Sequence, residues 1–345
     1  MSRTMMILVA GLATGFAQAG PEGTKTGHEG HGHADKHTAK HADHKSLSEL
    51  FADEKKPELW IGSKAPALQL AHFPRGEAIT SFEPGRTYVV EMWATWCGPC
   101  IAAFPHVADL QKKYEDKLSV IGVNIWERAS GEERTELVEE FVAKHTEMKY
   151  TVAIEEGTAM GDTWMKPAGQ NGIPAAFIID GTGKVAWIGH PMSMDEPLAQ
   201  IIAGDYDIET EADKAWTSQL AMTGYMEMRR AVSEGEWNRS IEVATALVHD
   251  AFGDEPSGLN AVAWTMLQGE DRPEAATKLA YKAAKMACDK TDWQEWMILD
   301  TYALAAFNAG KTDEAVKWQT KAIELAPDEA KEEMAAQLES FGGEG

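Results

Sequence analysis

Apolar positions change their spacing along the chain. Between Leu59 and about Gly204, short unbroken apolar runs alternate with stretches of helical spacing. Arg86–Ala94 (RTYVVEMWA) and Leu118–Trp126 (LSVIGVNIW) are rich in β-branched and aromatic residues, as buried strands are. Tyr150–Glu155 reads as a further strand, and Ala175–Asp180 with Val185–Gly189 as a hairpin turning on GTGK. Helical spacing covers Cys100–Tyr114, Glu133–His145 (Leu137, Phe141 and Val142 on one face) and Asp195–Ala203. Strands alternating with helices predict an α/β layered sheet.

After about Asp205 the strand-like runs stop, and every segment to Ala336 is helix-like. Pro273–Asp289 aligns with Thr312–Asp328 at an offset of 39 (312 − 273), and Gly235–Val248 follows Gly310–Ile323 in its opening glycine and small positions. Small residues at Ala305, Ala315 and Ala322 let paired helices approach closely, and neighbouring pairs must stack to bury a face. With Gly310 and Pro327 they resemble the second half of a tetratricopeptide repeat. A repeat array over 205–345 implies a protein-binding surface; a structural cap or a dimerisation face are the alternatives.

Two segments precede the α/β region. Residues 1–19 have the layout of a secretory signal: Arg3, the apolar run Met6–Phe16, and the small-x-small site Ala17-Gln18-Ala19. The run is shorter than the roughly 20 apolar residues that span a bilayer. Export to the periplasm, or another extracytoplasmic face of the membrane, follows as the expectation. Residues 20–45 have no apolar period and read as disordered. Six of the 11 histidines lie there: His28, His31, His33, His37, His41 and His44. Such a tail suits weak binding of zinc, copper or nickel, or is simply solvated. The expected division is 1–19, 20–45, 46–204 and 205–345.

A formal net charge of −23 over 345 residues excludes phosphate-backbone binding, so no nucleic acid partner is expected. There are only three cysteines, too few for a disulfide framework. Cys97 and Cys100 stand in WATWCGPC (Trp93–Cys100), between a predicted strand and a predicted helix. A cysteine at a helix N-terminus faces unpaired amides and the positive end of the helix dipole, which stabilise thiolate over thiol. Cys100, one turn on, lies within bonding reach of Cys97, so it can resolve a mixed disulfide formed there. Pro99 in the first turn costs no hydrogen bond. The rival reading, half a zinc site, needs a second ligand pair, which the lone Cys288 does not provide. Haem attachment is excluded because Ile101, not histidine, follows Cys100. Glu91 interrupts the apolar strand six residues before Cys97. If buried it would carry a raised pKa and could exchange a proton with Cys100; on an edge strand it would face water.

WCGPC between strand and helix resembles thioredoxin. Together with GSKAPALQL (Gly62–Leu70), VVEMWATWCGPC and NGIPAAFIIDGTGKVAWIG (Asn171–Gly189), it resembles the exported TlpA/ResA class of thioredoxin-like proteins over roughly Leu59–Ala203. The resemblance implies a thioredoxin-like fold, with Cys97 attacking, Cys100 resolving, Pro174 a cis-proline beside the disulfide and Pro105 inside the active-site helix. Glu91 corresponds to the buried acid of thioredoxin. Trp96, Gly98, Pro99 and Ile173 would shape the surface a substrate meets. Pro174 lies 77 residues beyond Cys97 (174 − 97), and the surplus fits a strand–helix insertion within Ser130–Met160. A glutamate that the ResA pattern carries three residues after the second cysteine is absent here, where Ala103 stands.

These features predict an exported thiol–disulfide oxidoreductase acting as a protein disulfide reductase, with no cofactor beyond the Cys97–Cys100 pair. An upstream membrane thiol donor would re-reduce it, and the helical repeat would bind a partner. The alternatives are a disulfide oxidant or isomerase, and a scaffold that uses the repeat or the histidine tail. Other residues read as structural: Cys288 as a buried small residue, Trp93 as core, His106 as surface or as a neighbour of Cys97, and His190–Met194 (HPMSM) as a loop rather than a copper site.

Overall fold

The computed structural model describes residues 44–342 apart from 270. The signal-like segment and His28, His31, His33, His37 and His41 lie outside the described residues. The chain divides into two compact units, one spanning Lys55–Trp216 and the other joining the N-terminal part up to Glu54 with Thr217–Gly345.

The first unit is built on a six-stranded sheet: β1 (Leu70–Arg75), β2 (Thr87–Trp93), β3 (Leu118–Asn124), β4 (Thr151–Glu155), β5 (Ala175–Ile179) and β6 (Val185–Gly189). Their order across the sheet is β1-β4-β3-β2-β5-β6. The parallel strands β2, β3 and β4 are joined by helices α1 (Gly98–Lys113) and α2 (Gly131–Lys144), while β5 runs antiparallel to β2 and β6 to β5. Helix α3 (Asp195–Ala203) closes the unit. Side chains alternate between the two faces of each strand. Val89, Trp93, Val120, Val152, Ala176 and Ile178 pack under α1 with Cys97, Cys100 and Phe104. Tyr88, Val90, Met92, Ile121, Val123 and Phe177 form the opposite core with Trp164. Every residue of β2 is buried, as befits a central strand covered on both faces.

Three features depart from the sequence pattern. Strand β1 goes unannounced, because it is an edge strand with an irregular register to β4 and includes His72, Pro74 and Arg75. Proline is tolerated only where no ladder N–H is needed. Strand β3 ends at Asn124, and Trp126 adopts a positive φ of 54° that turns the chain away from the sheet. Residues 46–54, expected in the α/β domain, belong to the helical unit. Ser46 and Glu49 form a capping box around the short turn Leu47–Leu50, the buried Leu47 donates its N–H to Asp250 Oδ2 at 2.7 Å, and Lys45 pairs with Glu242 at 3.0 Å.

Helix α4 (Ile208–Ser233) carries the chain from one unit into the other. Beyond it lie α5 (Trp237–Ala246), α6 (Pro256–Met266), α7 (Glu274–Lys290), α8 (Trp296–Asn308), α9 (Thr312–Leu325) and α10 (Asp328–Ser340). From α6 onward each helix packs on the next. The two copies aligned in sequence coincide with α7 and α9, and their shared small positions, among them Ala276, Ala283, Ala315 and Ala322, are buried. Cys288 is buried in α7, and burial pushes its thiol up to about 12, so it stays protonated.

Asp300 on α8 accepts Nε2–H from Gln319 of α9 at 2.7 Å and from Gln337 of α10 at 3.1 Å, tying three helices together. Burial raises its carboxyl from 3.8 to about 6 against the opposing Gln319 bond. The folded state therefore holds this proton more tightly than the unfolded chain. Ionisation costs stability as pH rises from about 4 to 6, and the cost is fully present above that. Asp300→Asn keeps both accepted bonds and removes the charge. It should raise the thermal midpoint at pH 7.5, by on the order of 1–3 kcal/mol of stability, with no gain at pH 4; calorimetry at the two pH values checks this.

Candidate active site: a cysteine pair at a helix N-terminus

Strand β2 delivers the chain through buried Ala94 into a tight turn, with Cys97 N donating to Ala94 O at 3.1 Å. Cys97 then caps α1 with extended backbone. Its carbonyl accepts from Ile101 N at 3.1 Å, and its Sγ accepts from Cys100 N at 3.2 Å. The two cysteines are joined as a disulfide with their Cα atoms 5.3 Å apart. Once the pair is reduced, the same amide is aimed at the Cys97 sulfur, where a hydrogen bond to an anion is stronger than one to a neutral thiol. Cys97 exposes only 3% of its surface and Cys100 none, whereas Gly98 and Pro99 are exposed and Trp96 is 47% exposed. Trp96 Nε1 donates to Trp126 O at 3.1 Å, which fixes the indole beside the thiols. Pro105 falls inside α1, one turn below the cysteines.

The Ile173–Pro174 peptide bond is cis. Strand β5 starts at the next residue, Ala175, which pairs with Met92 near the end of β2. Register thus brings Pro174 to the edge of the sheet from which the cysteine loop departs. Ile173 is half-buried and packs into both cores.

Glu91 sits in the middle of β2, paired with Gly122 of β3 on one side and Ala176 of β5 on the other. It is fully buried, two residues from Val89 and Trp93, and therefore on the face covered by α1 and the cysteines. The open alternative, an edge strand facing water, does not hold. Neither carboxyl oxygen has a hydrogen-bond partner among the described residues. Burial lifts its pKa from 4.5 to about 8.

The other candidates are held elsewhere. His106 lies 2.9 Å from Asp195 at the start of α3. His190 Nδ1 accepts Met192 N–H at 3.2 Å and caps the turn Pro191–Ser193; Met194 is buried in the core while Met192 is exposed, so HPMSM does not gather its side chains at one point. His44 stacks on His249, ring centroids 4.6 Å apart, and lies 3.6 Å from Asp250. Among the described residues no group of three or more His, Cys, Asp or Glu could hold a metal ion.

Sequence reasoning passes over a polar network that anchors the loop before Cys97. Glu127 accepts from Thr95 N at 2.6 Å, Thr95 Oγ1 at 3.0 Å and Asn124 Nδ2 at 2.8 Å. The buried Asn124 accepts in turn from Arg134 of α2, at 2.5 Å to its carbonyl and 3.1 Å to its side chain. Arg134 lies 3.5 Å from Glu155 of β4, whose second oxygen receives Gly161 N at 3.0 Å. The insertion α2–β4 is thereby tied to the cysteine loop. The one signal in the sequence is Asn124, a polar residue closing an apolar strand just ahead of an acid. Glu127→Ala strands the Thr95 amide and the Asn124 amide group, so it should cost about 1–3 kcal/mol and speed amide exchange at Thr95. Denaturant unfolding and native-state hydrogen exchange test both.

The redoxin family model matches residues 61–199. Among the relatives found, a thiol-disulfide oxidoreductase ResA of Bacillus cereus is 30% identical over 136 residues, 39% of this chain and 72% of that protein. Thiol:disulfide interchange protein HelX of Rhodobacter capsulatus is 26% identical over 157 residues, 44% and 82% respectively. Protein FixW of Rhizobium leguminosarum is 26% identical over 149 residues, 42% and 67%. A solved structure from Chlorobium tepidum, assigned as a thiol:disulfide interchange protein DsbE, shares 27% identity, covers 42% of this chain and 97% of its own, and has a TM-score of 0.32.

Proposed function

The chain belongs to the redoxin family of thioredoxin-like thiol–disulfide oxidoreductases, and from that premise we propose that it is an exported reductase of protein disulfides. The observation that carries the proposal is the stacking of two devices on one sheet face: a cysteine pair capping α1 and the buried Glu91 on the strand beneath. In the reduced protein, Cys97 thiolate attacks a substrate disulfide. One S–S bond breaks, a mixed disulfide forms at Cys97, and the departing sulfur takes up a proton. Ionised Glu91 accepts the proton of Cys100, whose thiolate then attacks Cys97 Sγ. The second substrate thiol is released, and the internal disulfide seen in the structure forms. Two electrons pass to the substrate, and a dithiol donor upstream at the membrane returns them.

Trp96, Gly98, Pro99 and Ile173 form the substrate edge in this reading. The exposed Trp96 immediately precedes Cys97, and half-buried Ile173, just before the cis-proline, packs against the core that contains both cysteines. The apolar start of the sequence supports export; no described helix is long and apolar enough to cross a membrane. The helical unit serves as a partner-recognition module of tetratricopeptide type, a reading supported by the coincidence of the aligned copies with α7 and α9. The histidine tail, including His44, adds weak metal affinity.

Cys100→Ser should accumulate mixed disulfides through Cys97 in the exported compartment, identifiable by mass spectrometry; no adducts would reject the reductase reading. The direction is read from the reduction potential, expected nearer about −270 mV than the about −120 mV of strong oxidants. Because Glu91 acts as a base with a pKa of about 8, release of a trapped partner should accelerate as pH rises through 8. Glu91→Gln should slow release and flatten that profile while leaving the attack at Cys97 unchanged. Stopped-flow measurement of the two steps separates them.

A further inference from the structure

Glu91 is one of three buried side chains on this face whose polar atoms have no hydrogen-bond partner among the described residues. Both its oxygens, Trp93 Nε1 and the Tyr150 hydroxyl are in that state. Buried polar atoms are satisfied in the great majority of cases, so three together require an account. They are not scattered. Glu91 and Trp93 are alternate residues of β2 and share a face, and Tyr150 immediately precedes β4. Between them lies Gly122 of β3, in register with Glu91. A Cβ placed on Gly122 would lie 2.9 Å from Tyr150 Cε2, 3.3 Å from Trp93 Nε1 and 3.5 Å from Glu91 Oε2. All three side chains therefore border one point, and the ring atom nearest it is bonded to the carbon that bears the Tyr150 hydroxyl. The lack of a side chain at position 122 keeps carbon out of the space their polar edges face.

The chemistry of the three groups is complementary. The Trp93 indole offers only a donor, the phenol offers a donor and an acceptor, and an ionised Glu91 offers only acceptors. Burial holds the Tyr150 hydroxyl well above its ordinary range, so it keeps its proton. The charged groups that act on Tyr150 from outside are Arg75 and Glu147, both engaged elsewhere. Arg75 donates to the carbonyls of Val142, His145 and Met148 at 2.5–3.0 Å, and Glu147 pairs with His145 at 2.7 Å. The same core includes Cys97 and Cys100 at the start of α1. A buried water needs two to four polar partners, and this point supplies three.

We propose that Glu91, Trp93 and Tyr150 share one buried water beside Gly122, and that Tyr150 is a positioning residue that orients the Glu91 carboxyl and sets its proton affinity. The inference rests on the proton-transfer reading of Glu91 given above. Tyr150 also lines a cleft with Arg86, Tyr88, Ser119, Val120 and Thr151, residues at the opposite ends of the strands from the cysteines. The water is thus one side chain away from solvent on the side remote from the substrate. A proton taken from Cys100 has a way out that does not pass the mixed disulfide.

The test uses the full chain with 13C-labelled glutamate, following the Glu91 carboxyl by NMR through a pH titration. Tyr150→Phe removes a partner of the shared water and so weakens the water's bond to the carboxylate; Glu91 should titrate about one pH unit more alkaline, and the pH profile of partner release should move with it. In the unsubstituted protein the Trp93 indole proton should exchange slowly, and Gly122→Ala, which crowds the site, should speed that exchange. An unmoved titration in Tyr150→Phe, or a freely exchanging Trp93 proton in the unsubstituted protein, overturns the proposal. Glu91→Gln separates the two levels. If it leaves the release profile unchanged, the premise about Glu91 fails. If it flattens the profile while Tyr150→Phe leaves both titration and profile where they were, only the shared pocket fails.

Discussion

A helix must begin somewhere, and its first amides have no carbonyl to bond within the helix. In this protein one of those amides, Cys100 N, is directed at a sulfur. Cys97 caps α1, with Cys100 N directed at its Sγ and Pro99 occupying a first-turn position where no N–H is missed. Everything else in the α/β unit serves that placement. Strand β2, buried along its whole length, fixes the point from which the loop departs. Register with β5 brings Pro174 alongside, and Glu127 holds Thr95 by backbone and side chain two residues ahead of the sulfur. Glu91 lies fully buried on the same face of the sheet, where burial lifts its pKa to about 8.

How much of this was legible in the chain depended on whether the signal was contiguous. Strand β2, helix α1, the hairpin β5–β6 and the thiol spacing each occupy an unbroken stretch, and periodicity or spacing reads them directly. Glu91 was legible as an anomaly, a charge in an apolar run. Edge strand β1 was not, because its exposed side tolerates His72, Pro74 and Arg75 and blurs the alternation. The Glu127–Asn124–Arg134–Glu155 network was invisible for a different reason. It is assembled from β3, the loop after it, α2 and β4, and no local pattern registers a contact between residues ten or twenty positions apart. The convergence on Gly122 is harder still, since the residue that makes it is the one with nothing to show. Residues 46–54 were misplaced because a capped turn carries no mark of the surface it docks on.

The helical unit follows another logic. Its interior is lined by alanine: Ala276, Ala280, Ala283, Ala303, Ala306, Ala315 and Ala322 are all fully buried. Small side chains bring helix backbones close but contribute little apolar area each. Specificity of docking then falls to a few polar pairings, such as Asp300 with Gln319 and Gln337, and to larger rings such as Trp293, Tyr302 and Trp318, with Trp293 edge-on to Tyr302 and tilted against Trp318. Polar contacts of this kind select one register among many that an alanine surface alone would accept.

The near-complete enclosure of Cys97 has a consequence for what the protein handles. Cys97 exposes only 3% of its residue surface, while the neighbouring Trp96 exposes 47%. Steric access to the attacking group is therefore restricted before any chemistry begins, and the bulk of the exposed surface beside it belongs to an aromatic ring.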